Sequence, residues 1–149
     1  MDLNADWVVG FVDGEGCFHV SLNRHEEMSV GYQVLPEFVV VQHERDVQIL
    51  QALKRFFGAG VVRRNHGDRY CLRIRKLEAL EAISDFFVEH PLKTKKNVDS
   101  RKFRHILQLM KQKLHLEKDG LLRIIDIALA MNTTQRPALE EIKQRLLAG

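Results

Sequence analysis

Two carboxylates, Asp13 and Glu15, stand at the end of an apolar stretch that runs from Trp7 to Gly16. A helix over this stretch should end near Gly14, because glycine favours helix ends over helix interiors. Glu15 would then lie at the negative end of the helix dipole, which is unfavourable for a carboxylate unless a cation binds there. Divalent cations such as Mg²⁺ prefer oxygen ligands. The segment therefore predicts a metal site that includes Glu15, and an ordinary helix with a polar turn is the alternative.

The same segment contains two glycines, Gly10 and Gly14, spaced four residues apart. On a helix they share one face with Trp7 and Phe11. The absence of two side chains one turn apart lets a second backbone approach closely. We therefore expect this face to pack against another helix.

The composition is typical of a globular domain with a single core. The chain has 149 residues, of which 45% are hydrophobic and 29% are charged, and its formal net charge is +3. No apolar run approaches membrane-spanning length and no signal-peptide pattern is present, so we expect an intracellular protein without a membrane partner. Cys17 and Cys71 match neither a disulfide framework nor a zinc spacing, and we expect reduced thiols.

Alternating patterns after the opening helix predict two β-hairpins, each followed by a helix. The predicted strands are residues 17–24, 33–42, 61–65 and 69–75. The predicted helices after the first are residues 46–57, 77–89, 97–116, 120–131 and 137–147. Pro36 favours an edge position or a bulge over a central position in the second strand. The pattern predicts an α+β fold built on a four-stranded antiparallel sheet.

One face of the predicted sheet is rich in hydrogen-bond donors and poor in carboxylates. Arg, Asn and Gln side chains read base edges in the major groove of DNA, which admits a two-stranded ribbon. Aromatic residues are absent from this face, which argues against a module that binds single strands by stacking. A merely solvated face is the alternative. The residues assigned to nucleic-acid contact are His19, Ser21, Asn23, Arg24, Gln33, Glu37, Arg63, Asn65, Arg69, Arg73 and Arg75.

The opening segment resembles the signature of the LAGLIDADG homing endonucleases, in the variant form that ends Gly-Phe-Val-Asp-Gly-Glu-Gly. The resemblance rests on residues 8–16, on the two hairpins that follow, and on Pro91–Lys95. It implies one domain over residues 1–149, with an αββαββα core and a saddle-shaped antiparallel sheet. The core covers approximately residues 4–95, and residues 96–149 form a helical C-terminal extension that resembles the family only loosely.

The resemblance implies an enzyme that hydrolyses phosphodiester bonds on both strands of DNA at a long, nearly palindromic site. In the family, the last acid of the signature binds a divalent metal between the scissile phosphates. That acid is Glu15 in this sequence, with the Gly14 carbonyl beside it. The implied cofactor is Mg²⁺ or Mn²⁺, and Ca²⁺ is expected to bind without supporting cleavage. Asp13 matches a position that is more structural in the family.

Two further catalytic positions are implied by the resemblance. Gln42, at the end of the second strand, matches a residue near the attacking water, and Lys95 matches a lysine near the scissile phosphate. Lys93 takes that role if the register differs by two residues. Some relatives carry an arginine where this chain has Asp46, and Arg45 is a candidate to supply that charge.

The sequence contains one signature, whereas a duplex has two strands to cut. The resemblance therefore implies a homodimer joined through its signature helices. We expect the interface to contain Trp7, Gly10, Phe11 and Gly14, and the DNA site to be roughly two-fold symmetric.

Two other functions are compatible with the same fold. An intron RNA maturase would keep the basic face without needing Glu15, and a transcription regulator would bind DNA without cutting it. The combination of Glu15, Gln42 and Lys95 favours cleavage. The composition suits a protein made where its intron lies, in a bacterial cytoplasm or in an organelle such as a chloroplast or mitochondrion.

Overall fold

The computed structural model describes residues 1–132 and 135–149 of the chain. The strands are β1 (Gly16–Arg24), β2 (Tyr32–His43), β3 (Val61–His66) and β4 (Arg69–Ile74). The helices are α1 (Ala5–Glu15), α2 (Val47–Phe57), α3 (Leu77–Glu89), α4 (Lys96–Lys111), α5 (Lys118–Leu129) and α6 (Pro137–Ala148). The predicted α+β class is confirmed, and so is the αββαββα order of the first elements. Within the described residues, no helix has the length and apolar character needed to cross a membrane.

The strands form one antiparallel sheet in the order β1-β2-β4-β3. Both predicted hairpins are present, and the pairing of β2 with β4 joins them. Pro36 therefore lies in an inner strand, where a residue without an N–H donor is unexpected. The register explains its position. Pro36 pairs with Val20 of β1, whereas the β4 partners of β2 begin at Phe38, so β2 has a single neighbour at Pro36.

Aromatic side chains fill the space between the sheet and the helices that cover one of its faces. Phe18 and Phe38 are buried with ring centroids 5.2 Å apart. Both rings contact Phe87 of α3, and Phe18 also contacts Phe103 of α4. Since Phe18 and Phe38 occupy alternate, inward-facing positions of their strands, the core confirms the alternation predicted from the sequence.

Helix α1 begins at an N-cap and ends at a tight junction with β1. The side chain of Asn4 accepts a hydrogen bond from the backbone N–H three residues later, at 2.8 Å. Val8 and Val12 are fully buried. The helix ends at Glu15, and at Gly16 an added Cβ would lie 2.7 Å from the Val12 side chain. Glycine at this junction therefore allows the helix to lie directly against the strand that follows it.

The first predicted helix of the extension is shorter in the structure than the sequence pattern indicated. Helix α4 ends at Lys111, and Lys113 has a φ of 63°, in the left-handed region. A 3-10 turn at Leu114–Leu116 follows. An added Cβ on Gly120 of α5 would overlap the first carbonyl group of this turn. The predicted helix is therefore wrong beyond Lys111, because the chain turns there to bring α5 against the turn.

The extension also covers the outer edge of β1. Asn132 Nδ2 donates to the carbonyl oxygen of Phe18 at 3.2 Å, and an Arg136 Nη group donates to that of Val20 at 2.9 Å. These bonds satisfy acceptors on an edge strand that would otherwise be open to another chain. The extension is therefore bonded directly to the sheet of the core.

Candidate active site and nucleic-acid surface

The end of α1 is fixed by contacts with the loop between α3 and α4. Asp13 accepts hydrogen bonds from the N–H groups of Lys93 and Thr94 at 2.8 and 3.2 Å, and from the Thr94 hydroxyl at 2.7 Å. In the opposite direction, Lys96 Nζ donates to the carbonyl oxygens of Val12 and Asp13, both at 3.0 Å. We call the two segments that exchange these bonds, Val12–Glu15 and Lys93–Lys96, the helix-end site.

Opposite charges lie close together within the helix-end site. The Lys96 ammonium lies at the carbonyl end of α1, where the helix dipole is negative. Partial burial raises the pKa of Asp13, but the hydrogen bonds from Lys93 and Thr94 and the charge of Lys96 together outweigh burial and hold this pKa below 3.8. Asp13 is therefore a structural carboxylate that joins two segments of one chain.

Glu15 is the last residue of α1, and its side chain is exposed. The next residue, Gly16, pairs with Val40 of β2, so Glu15 lies at the end of the sheet where Gln42 also lies. The Gln42 amide is partly buried and donates to the carbonyl oxygen of Val41 at 2.9 Å. The fold thus brings the two predicted catalytic residues to the same end of the sheet.

Lys93 and Lys95 are both exposed, but their surroundings differ. Lys95 lines a groove of 670 Å³ together with Cys17 and His19 of β1. Lys93 contributes its backbone N–H to Asp13. The groove opens beside the polar surface of the sheet, and Lys95 lines it whereas Lys93 does not.

The chain by itself supplies few metal ligands near the end of α1. Among residues 1–132 and 135–149, no group of three or more His, Cys, Asp and Glu side chains is arranged to hold an ion. Glu15 and the Gly14 carbonyl offer oxygen donors, and Mg²⁺ is usually bound by one or two carboxylates together with waters and substrate phosphates. The donor set therefore fits a magnesium-type ion that takes its other ligands from water, phosphate or a second chain.

Most polar residues of the four strands lie on the face of the sheet opposite the core. Inward and outward positions alternate along β1. The register pairs outward residues of β1 with outward residues of β2, such as His19 with Glu37 and Asn23 with Gln33. We call this surface the sheet face; its residues are His19, Ser21, Asn23, Gln33, Glu37, Arg63, Asn65, Arg69, Arg73 and Arg75.

Two of the assigned residues differ from the expected placement. Arg24 is exposed at the end of β1, but it alternates with the inward-facing residues and lies at the rim of the sheet. Strand β4 ends at Ile74, so Arg75 lies one residue beyond the strand. Its side chain nevertheless reaches the sheet face, because it donates to Glu37.

Glu37 lies among cationic side chains at the centre of the sheet face. Arg75 Nε donates to its Oε2 at 2.8 Å, and Arg73 Nε lies 3.2 Å from the same oxygen. His19 Nδ1 is 3.6 Å from the other oxygen, Oε1. Partial burial lowers the pKa of His19, and the charges of Arg136 and Arg73 lower it further against the opposing effect of Glu37. His19 is therefore neutral at pH 7.

The outer side of α1 is open. Trp7 stacks on Phe11 with ring centroids 4.8 Å apart and planes inclined by 11°, and Trp7 is 39% exposed. At Gly10 and Gly14, an added Cβ would meet no atom of the described residues within 4 Å. Packing within one chain therefore does not require glycine at either position, and the two glycines form a stripe with the exposed Trp7 and the half-buried Phe11.

Two contributions were missed by reasoning from the sequence. Lys96 carries the contacts at the end of α1, and the run Lys93–Lys96 indicated a cationic segment without showing which lysine turns inward. Glu37 joins two arginines, and only the pairing of β2 with β4 places them within reach. The sequence weakly indicated the role of Lys96 and did not indicate the contacts of Glu37 with the arginines.

The model of the LAGLIDADG endonuclease family matches residues 8–107. The crystal structure of a homing endonuclease, I-TnaI, is similar with a TM-score of 0.96 and 57% identity, over 98% of this chain and 99% of that one. The I-SmaMI LAGLIDADG homing endonuclease bound to cleaved DNA has a TM-score of 0.91 and 31% identity, over 97% of this chain and 49% of that one. I-SmaMI has also been solved bound to an uncleaved DNA target in the presence of calcium ions.

The curated relatives are longer proteins. The probable intron-encoded endonuclease 3 of Neurospora crassa is 28% identical over 129 residues, which cover 85% of this chain and 24% of that protein. The chain spans about a quarter of the length of three fungal relatives that it matches.

Proposed function

This chain belongs to the LAGLIDADG endonuclease family, and from that premise we propose that it is a homing endonuclease that hydrolyses both strands of a long, nearly palindromic DNA site. One observation carries the proposal: Glu15 is exposed at the fixed end of α1, beside a sheet face rich in guanidinium groups. Such a face suits the major groove, and a carboxylate next to it suits metal-assisted hydrolysis. The complex of I-SmaMI with cleaved DNA supports duplex DNA as the substrate class.

Glu15 and the Gly14 carbonyl are the proposed ligands of a divalent cation, Mg²⁺ or Mn²⁺. When bound, such a cation stabilises charge on a phosphate and lowers the pKa of a coordinated water. The calcium ions present with the uncleaved target of I-SmaMI support a divalent site in this fold, and Ca²⁺ is proposed to bind here without supporting cleavage. The contacts of Asp13 and Lys96 hold the backbone immediately before the ligands in place.

Gln42 and Lys95 are proposed to act on the reacting groups. The amide oxygen of Gln42 accepts a hydrogen bond from the attacking water and orients it. The Lys95 ammonium places positive charge where the phosphoryl oxygens gain negative charge. Arg45, whose side chain is 77% exposed, is the proposed replacement for the basic residue that some relatives carry at Asp46.

The proposed active species is a homodimer. Each chain offers one Glu15, and cutting two strands requires two. In the stripe formed by Trp7, Gly10, Phe11 and Gly14, all but the half-buried Phe11 are exposed, and the two glycines let a second α1 approach closely. Sedimentation of the DNA complex should show two chains of 17.3 kDa per duplex. One chain per cleaved duplex would contradict the dimer.

The name of the Neurospora crassa relative supports the proposal that this chain is also intron-encoded. Its synthesis is then expected where the intron is transcribed, in a bacterial cytoplasm or an organelle. Intron RNA is a second possible partner of the basic sheet face, and the experiment that follows includes it as an outcome.

The test of the proposal compares the wild type with Glu15→Gln, which keeps the shape of the side chain and removes its charge. A plasmid library that carries a randomised duplex is incubated with each protein and Mg²⁺. We expect the wild type to linearise a subset of plasmids whose sequences are nearly palindromic. Glu15→Gln should bind the selected duplex equally well but cut it about 10³-fold more slowly, since a metal contributes several kcal/mol to the transition state.

The matched control is Glu89→Gln, which changes an exposed glutamate at the last position of another helix, α3. Its cleavage rate should equal that of the wild type. If neither the wild type nor Glu15→Gln cuts any duplex and both bind DNA equally, a regulator is favoured. If neither protein binds DNA and both promote splicing of the host intron RNA, a maturase is favoured.

A further inference from the structure

The sheet face contains one carboxylate that is closely surrounded. The Glu37 side chain is only 13% exposed, although it lies on the open face of the sheet. Its Oε2 atom is shared by Arg73 Nε at 3.2 Å and Arg75 Nε at 2.8 Å. Only the second of these contacts has hydrogen-bond geometry, and the first is an ion pair.

The register of the sheet explains why these side chains meet. Glu37 of β2 lies directly opposite His19 of β1. Arg73 of β4 lies opposite Val39, two residues further along β2, so it is the diagonal neighbour of Glu37. Diagonal neighbours on one face are within reach of long side chains. Arg75 follows the end of β4 and reaches Glu37 from the same side.

Both contacts with Glu37 use the Nε atom of the arginine. Nε lies at the inner end of the guanidinium group, while the two Nη groups, with four N–H donors, lie at its outer end. The side chains of Arg73 and Arg75 are 41% and 62% exposed. The contacts therefore fix the inner ends of both groups and do not use the outer ends, which can form a bidentate contact with guanine.

We propose that Glu37 is a positioning residue for specificity: it holds Arg73 and Arg75 in fixed orientations for base reading and makes no base contact of its own. This inference rests on the proposed function. An arginine whose rotamer is already fixed loses less freedom when it meets a base, and it pairs poorly with a base in the wrong position. The low exposure of the Glu37 carboxylate and the two guanidinium groups at its Oε2 atom argue against direct reading of a base.

The experiment measures base discrimination separately from affinity. Duplexes selected by the wild type from a randomised library are varied one base pair at a time and titrated without divalent metal. Arg73→Ala and Arg75→Ala first identify the base pairs that each arginine reads. We expect Glu37→Gln to lower discrimination at those same base pairs by about tenfold, the scale of one bidentate contact. Its affinity for non-specific duplex should rise slightly, because the basic face loses a negative charge.

Glu89→Gln is the matched control, since it makes the same change of charge on α3. It should leave discrimination unchanged. In a double-mutant cycle, Glu37→Gln should have no further effect in a chain that already carries Arg73→Ala and Arg75→Ala. Glu37→Asp keeps the charge but is one methylene shorter, and it should lose discrimination at the same base pairs. This variant keeps the test decisive if Glu37→Gln does not fold.

Four results would overturn the inference. Discrimination could be unchanged in both Glu37 variants, or it could be lost at a single base pair that neither arginine reads, which would indicate direct reading. Binding could fall equally for all sequences together with the unfolding midpoint, which would indicate a structural role. The effect of Glu37→Gln could also persist undiminished without the two arginines. If the wild type itself selects no sequence, the proposed function fails first, and the inference fails with it.

Discussion

The helix-end site and the sheet face use charged side chains in opposite ways. At the helix-end site, Asp13 and Lys96 are engaged with backbone groups of the other segment at 2.8–3.2 Å. Backbone groups cannot change rotamer, so these bonds fix the chain positions of Gly14, Glu15 and Lys95. On the sheet face, Arg73 and Arg75 contact another side chain, Glu37, and the outer ends of both guanidinium groups extend toward solvent.

This difference matches the demands of two tasks. Phosphodiester hydrolysis requires its groups to be placed to within a fraction of an ångström, because small displacements reduce the rate strongly. Recognition of a long duplex sums many contacts of moderate strength and tolerates adjustment. Substitutions at the helix-end site should therefore change the rate at saturating DNA, and substitutions on the sheet face should change affinity and specificity. Each prediction below tests one side of this division.

The largest effect is expected from Lys95→Met. Its ammonium lies in the groove beside β1, and loss of one positioned electrostatic group typically slows a reaction by about 10²–10³-fold. The rate should be measured in single-turnover cleavage at saturating DNA with Mg²⁺. DNA affinity should fall by less than about threefold, the scale of one lost phosphate contact.

Lys93→Met is the matched control for Lys95→Met. Lys93 acts at the helix-end site through its backbone N–H, which the substitution retains. Its cleavage rate should stay within about twofold of the wild type, below the range of a lost catalytic group. A larger loss in Lys93→Met than in Lys95→Met would reverse the assignment of the two lysines and move the substrate away from the groove.

A smaller effect of the opposite kind is expected from Arg63→Ala on β3. Arg63 is exposed on the sheet face and is not part of the helix-end site. Loss of one base contact should lower affinity about tenfold, and loss of one phosphate contact about threefold, while the single-turnover rate at saturating DNA is unchanged. Titrations at several salt concentrations distinguish a phosphate contact, which reduces the salt slope by about one, from a base contact. A loss of rate at saturation would break the division between the two regions.

Much of the fold followed from local patterns in the sequence. The alternation of Phe18, Val20 and Leu22 with polar residues identified β1 and its inward face, because the side-chain period of a strand is two. Helix α3 has the predicted bounds, Leu77–Glu89. The end of α4 could not be predicted, since the amphipathic pattern continues past Lys111 while the backbone turns away to pack α5.

Features of the candidate site that depend on a single segment could be predicted from the sequence. Contacts between two distant segments could not. The position of Glu15 at the end of the first helix was predicted from the sequence and is confirmed, whereas its role and that of the two glycines stay predictions. The hydrogen bond from Lys96 Nζ to the Asp13 carbonyl oxygen joins positions 83 residues apart in sequence, and the contact of Glu37 with Arg75 joins positions 38 apart. Such pairs depend on strand register and on loop conformation, which composition and periodicity do not determine.

The smallest effect is expected from Asp13→Asn, and it concerns stability and its dependence on pH. An amide cannot accept all the N–H and hydroxyl donors that Lys93 and Thr94 present, so the free energy of unfolding should fall by about 1 kcal/mol, the usual cost of a lost capping contact. The pKa of Asp13 is held below 3.8 in the folded chain, so its contribution is complete above that pH and is lost as the pH falls through the lower folded value.

Denaturant unfolding of both proteins between pH 7 and pH 3 measures this contribution directly. The difference between wild type and Asp13→Asn should be constant from pH 7 to about pH 5 and should shrink below pH 3.8. Glu89→Gln, which changes an exposed carboxylate on α3, should match the wild type throughout. A difference that grows on acidification would mean that Asp13 is destabilised as a carboxylate, and the helix-end site would then have to be fixed by Lys96 alone. The cleavage rate of Asp13→Asn at pH 7 tests the division between the helix-end site and the sheet face. A loosened end of α1 should slow the reaction, while the sheet face should still bind DNA at full affinity.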